Sequence, residues 1–167
     1  MRKAFVVVVV TAVSFLASYR TVSSHCEIPC GIYGDRLRIE LLNEDILTVE
    51  KSMQQIVALS KESPVNMNQV VRWVTNKDEH CRKIQDLVTQ YFMTQRVKPA
   101  PETDAMAYKK YLKQITALHS MLVFAMKAKQ TTDLENVTKL RSLVGEFSEA
   151  YFSPEDLQHL KEHQEKK

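Results

Sequence analysis

Residues 36–61 read RLRIELLNEDILTVEKSMQQIVALSK, and along them Ile39, Leu42, Ile46, Val49, Met53 and Ile56 recur at alternating spacings of three and four. That alternation lays one apolar seam along a helix, as in coiled-coil-like packing, whereas a strand would need a period of two. Three further stretches repeat the pattern. Residues 67–96 carry Val70, Val74, Cys81, Ile84, Val88 and Tyr91, with Lys77 interrupting. Residues 104–129 carry Tyr108, Tyr111, Ile115, Leu118, Leu122 and Ala125, and residues 133–151 carry Val137, Leu140, Val144, Phe147 and Tyr151. The links 62–66, 97–103 and 130–132 are short, which favours antiparallel neighbours. The five prolines, Pro29, Pro64, Pro99, Pro101 and Pro154, fall where helices start or stop. The sequence therefore predicts an all-α fold, an antiparallel up-down four-helix bundle over residues 35–152. Ser153-Pro154-Glu155-Asp156 has a cap residue followed by proline in the first turn, and opens a short charged helical tail over 153–167.

Residues 1–24 read as a secretory leader. Arg2 and Lys3 precede the apolar run Ala4 to Ala17, and Val22-Ser23-Ser24 suits a cut before His25. The run is too short to span a bilayer comfortably. The processed chain is expected to be exported, to periplasm, organelle lumen or the outside, with no stable membrane association. The formal charge of +3 belongs to the leader, because Arg2, Lys3 and Arg20 lie there and no acid does. The remainder is balanced, so charge gives no reason to expect a nucleic-acid partner.

Directly after the leader stands His25-Cys26-Glu27-Ile28-Pro29-Cys30-Gly31-Ile32-Tyr33-Gly34, residues 25–34, with two of the three cysteines and two of the three glycines. A cut before His25 frees its α-amine. That amine and the Cys26 amide nitrogen can close one chelate ring, and the same amide with the Cys26 sulfur closes another. Cys30 can return its sulfur to the fourth corner, since Pro29 and Gly31 permit a tight reversal. The His25 imidazole is then free to act as an axial ligand. Two nitrogens and two sulfurs in a plane suit Ni(II) or Cu(II), where structural zinc would want a tetrahedron. Two other readings stay open. One is an exported, non-enzymatic helical bundle that binds a partner and closes a Cys26–Cys30 disulfide. The other is a carrier that holds nickel or copper without turnover. A histidine before Cys26 serves no purpose in a disulfide loop.

His25, Cys26, Pro29, Cys30, Gly31 and Tyr33 form the pattern His-Cys-x-x-Pro-Cys-Gly-x-Tyr, which resembles the nickel hook of nickel-containing superoxide dismutases. The stretches 72–77 (RWVTNK) and 90–96 (QYFMTQR) are similar to second-helix segments of that family. The resemblance implies one nickel ion per subunit, held by the amine and imidazole of His25, the amide and sulfur of Cys26, and the sulfur of Cys30. It implies that Tyr33 gates small anions, that Pro29 carries a cis peptide, and that Glu40 orients the His25 ring from the second shell of ligands. Glu27 stands where many members have aspartate. It further implies superoxide as substrate, disproportionation by Ni(III)/Ni(II) cycling, and a homohexamer.

Other residues draw plainer expectations. Cys81 lies on the apolar stripe and is expected in the core. His80 is a candidate contact to the hook. His119 is expected at the boundary of the third helix, and His159 and His163 on a solvated face. Arg36 and Arg38 could steer an anion, though an ordinary solvated helix start is favoured. Asn136-Val137-Thr138 is a glycosylation sequon whose helical position argues against its use. Trp73, Tyr91, Phe92, Phe124, Phe147 and Tyr151 are expected in the core or at a subunit interface.

Overall fold

The four periodic stretches are four helices in the computed structural model, which describes residue 31 and residues 33–158. Helix α1 is Asp35–Leu59. Helix α2 is Met67–Asp86 and continues without a break into a π-helical segment, Leu87–Arg96. Helix α3 is Ala105–Gln130 and α4 is Glu135–Tyr151. A last short turn of helix covers 154–158. The expected leader 1–24, most of the expected hook 25–34 and the end of the expected tail 153–167 lie outside the described residues.

Local chemistry sets the starts. Asn66 accepts the Gln69 N–H at 3.3 Å ahead of α2, and Asp104 accepts the Ala107 N–H at 3.0 Å ahead of α3. Ser153 accepts the Asp156 N–H at 3.2 Å, as its sequence signature predicts.

The order is up-down. Each helix packs on the next, and α4 closes the ring on α1. Opposed pairs prove the antiparallel sense: Asn76 meets Ser52 while Tyr91 meets Asp35. The core seam of α1 is the expected one, with Ile39, Leu42, Ile46, Val49, Met53 and Ile56 all buried. In α4, Val137, Leu140, Val144 and Phe147 are buried.

Three expectations need correction. First, the stripe of α2 is not uniformly buried: Val70 is half-buried and Val74 is exposed. The reason is Lys77. Its ammonium donates to the carbonyls of Lys129, at 2.6 Å, and Thr131, at 3.1 Å, so α2 before this point runs past the end of α3. Lys77 is 4% exposed, a buried lysine that caps another helix's last carbonyls. Second, the α3 seam is Gln114, Ala117, Leu118, Met121, Ala125 and Ala128. Leu118 and Ala125 of the expected stripe are buried in it, whereas Tyr111, Ile115 and Leu122 are only partly buried against the core. Third, His119 is exposed rather than at the boundary. Among the described residues no helix is long and apolar enough to cross a membrane.

Candidate functional site

The last residues of the expected hook, Tyr33 and Gly34, lead into α1 at one end of the bundle. Gly31 has φ +82°, a left-handed conformation that L side chains rarely adopt. Tyr33 is 39% exposed. Its ring meets the Tyr91 ring edge-on, with centroids 6.0 Å apart, and the Arg96 guanidinium lies 4.1 Å from its centroid.

Behind Tyr33 sits Asp35, in the first turn of α1. Its carboxylate accepts four bonds from two other helices. Tyr91 Oη donates to Oδ1 at 2.6 Å and Tyr151 Oη donates to Oδ2 at 2.8 Å. Arg96 forks onto the same group, Nε to Oδ1 at 2.8 Å and an Nη to Oδ2 at 2.6 Å. Burial by itself would raise the Asp35 carboxyl, but Arg96, Tyr91 and Tyr151 outweigh it and hold the group below its ordinary value. The neighbours respond in the complementary sense. Burial first, then the bond to Asp35, push Tyr91 up to about 12, and the same causes in the same order raise Tyr151. The bond to Asp35 raises Arg96. At neutral pH the cluster is a fixed carboxylate with permanently protonated donors.

A cleft of about 1000 Å³ opens in front of this cluster. Tyr33, Asp35, Arg36, Glu40, Arg96, Lys98, Lys110 and Tyr151 are among its walls. With Asp35 and Arg96 neutralising each other, Arg36, Lys98 and Lys110 face Glu40 and Asp156. The balance leaves a modest attraction for small anions.

Tyr33 and Glu40 line the same cleft. His25, Cys26, Glu27, Pro29 and Cys30 lie outside the described residues. His80 donates to or accepts from Asp45 through Nδ1 at 2.7 Å, between α1 and α2. Asp45 stands ten residues along α1 from Asp35, roughly 15 Å at helical rise, so His80 does not reach the Tyr33 end. Arg38 lies over the Tyr91 ring at 5.0 Å, which leaves Arg36 with Lys98 and Lys110 as the cations at the cleft. Cys81 is a free, fully buried thiol that burial pushes up to about 11, so it is an inert core residue, as expected. Asn136 is 8% exposed and donates to Thr131 Oγ1 and the Asp133 carbonyl, which occupies the sequon's amide in the fold. Among the described residues no group of three or more His, Cys, Asp or Glu is placed to hold a metal ion.

Sequence reasoning missed Asp35 and Arg96. Asp35 reads as an ordinary acid at a helix start. Its partners are spread from Tyr91 to Tyr151, and no local spacing joins them.

A family model described as nickel-containing superoxide dismutase matches residues 20–154, which takes in the hook, Tyr33, Asp35, Arg96 and all four helices. No curated protein and no solved structure matches the chain.

Proposed function

The chain belongs to the nickel-containing superoxide dismutase family, an oxidoreductase family that acts on superoxide with nickel, and from that premise we propose how this chain does so. The polypeptide is exported, and its leader is removed before His25. The exposed amine and the imidazole of His25, the amide and sulfur of Cys26 and the sulfur of Cys30 hold one nickel ion per subunit. Glu27, Pro29 and Glu40 support that arrangement. The donor set fits the metal, since thiolates and an ionised amide nitrogen favour a planar site and stabilise a higher oxidation state. When bound, nickel supplies one-electron exchange between +3 and +2, by which two superoxide ions and two protons become dioxygen and hydrogen peroxide.

The chain's own residues do the rest. Arg36, Lys98 and Lys110 draw a small anion to the cleft. Tyr33, at its mouth, narrows the approach. Family membership over residues 20–154 carries this reading above the disulfide-closed binding module. The processed chain assembles as a homohexamer. Leu47 and Val71, each 58% exposed, and Met67, 62% exposed, support an apolar contact between copies.

Amino-terminal analysis of natural protein, with nickel content and a dismutation assay, tests the proposal. A chain that starts at His25, holds one nickel and dismutates superoxide is expected. One extra residue ahead of His25, or Cys26→Ser or Cys30→Ser, should abolish activity. Full activity in any of these variants would overturn the ligand scheme.

A further inference from the structure

The π-helical segment at the end of α2 deserves a functional account, because π-helical turns are uncommon and recur at functional sites. Its hydrogen bonds span five residues. The Val97 N–H donates to the Phe92 carbonyl at 2.8 Å, and the side chains of Thr94, at 2.7 Å, and Gln95, at 2.9 Å, also donate to the carbonyls five residues back, Thr89 and Gln90. In an α-helix, residues five apart sit about 140° apart around the axis. A register of five brings them back onto one face. Tyr91 and Arg96 are five apart, and both reach the same Asp35 carboxylate. The widened turn is thus the reason that one helix grips α1 twice at its first residue.

The grip fixes more than Asp35. A guanidinium bound through Nε and one Nη to both oxygens of a carboxylate has a set plane, and here its central carbon lies over the Tyr33 ring, 4.1 Å from the centroid. Tyr91, held by the same carboxylate, supplies the edge contact to that ring. Tyr33 therefore has two walls, each held by its own bond to Asp35.

We propose that Arg96 is a positioning residue for Tyr33: locked by Asp35 and brought into line by the π-helical turn, it sets the ring at the mouth of the cleft. This rests on the assignment of Tyr33 as the gate of the nickel site. It adds a residue, and a backbone reason for that residue, on the far side of the bundle's sequence.

The test uses the whole chain biosynthetically labelled with 3-fluorotyrosine, the Tyr33 resonance being assigned by its loss in Tyr33→Phe. In Arg96→Met the Tyr33 resonance should move at least halfway to the free-tyrosine position, while those of Tyr108 and Tyr111 stay in place. Arg96→Lys keeps the charge but not the fork, and should fail to restore the shift. It also serves if the methionine variant does not fold. In nickel-loaded enzyme, kcat/KM should fall at unchanged nickel content by roughly tenfold to a hundredfold, the upper figure being the cost of a misplacement of about 1 Å. A Tyr33 resonance unmoved by either substitution would overturn the inference even if the enzyme holds nickel and works. Wild-type protein without nickel or dismutation would instead sink the function, and the resonance comparison, which needs no metal, would still decide the role of Arg96.

Discussion

Two carboxylates on α1 face α2, ten residues apart, and they have opposite fates. Asp45 meets one imidazole, His80, at 2.7 Å. Burial pushes its carboxyl above the ordinary value, and His80 and Lys83 only partly offset this. Asp35 meets an arginine fork and two tyrosine hydroxyls, and is held below the ordinary value although burial again is the largest single influence. Side-chain exposure is similar, 11% for Asp45 and 17% for Asp35. Burial therefore does not separate them. The number and charge of converging donors does, because each bond to an ionised carboxylate offsets desolvation. One end of the α1–α2 interface is a fixed charge beside the cleft, and the middle is a group whose ionised form the fold disfavours.

The comparison breaks most visibly at Arg96. Arg96→Met leaves Asp35 with the tyrosines alone, and urea unfolding should show a loss of about 2–3 kcal/mol. Removing one neutral donor is milder. Tyr151→Phe should cost about 1–2 kcal/mol in the same measurement. A cost as large as that of Arg96→Met would show that donor charge does not matter.

Acid titration of stability tests the sign of each shift. Asp35 has a folded pKa below its ordinary 3.8, so its contribution is complete above that pH and is lost as pH falls through the folded value. Asp45 has a folded pKa above 3.8, so its contribution is fullest below 3.8 and erodes as pH rises through the folded value. Asp35→Asn should flatten the acid loss below about pH 4, and Asp45→Asn should leave that loss in place. Melting temperatures from pH 2 to 6 would separate the two. The smallest effect is expected from Asp45→Asn at pH 7, within about 1 kcal/mol of the parent and of either sign. A loss as great as at Arg96 would mean that the two pairs are equivalent after all.

Much of the fold is legible in spacing. The α1 seam needs only residues 39–56, since a period near 3.5 defines a face without any knowledge of the partner. Where the spacing offers two apolar faces, it fails. In α3 the expected stripe and the positions beside it are both apolar, and packing buries Leu118 and Ala125 from the first together with Ala117, Met121 and Ala128 from the second. Lys77 breaks its stripe in sequence, yet it is buried, because the end of α3 brings two carbonyls to it. The candidate ligands are legible for the opposite reason. His25, Cys26 and Cys30 are local, and their chemistry depends on adjacency along the chain.

Sequence by itself determined the helical class, the up-down order, the cap at Ser153, and the family resemblance through a run of nine residues, 25–33. All of these depend on neighbours close in the chain. Tertiary structure alone decided that Asp35, Tyr91, Arg96 and Tyr151 form one cluster behind Tyr33. Their convergence needs three helices and a change of hydrogen-bond register in one of them, and a widened turn has no spacing signature until another helix supplies the carboxylate that it grips.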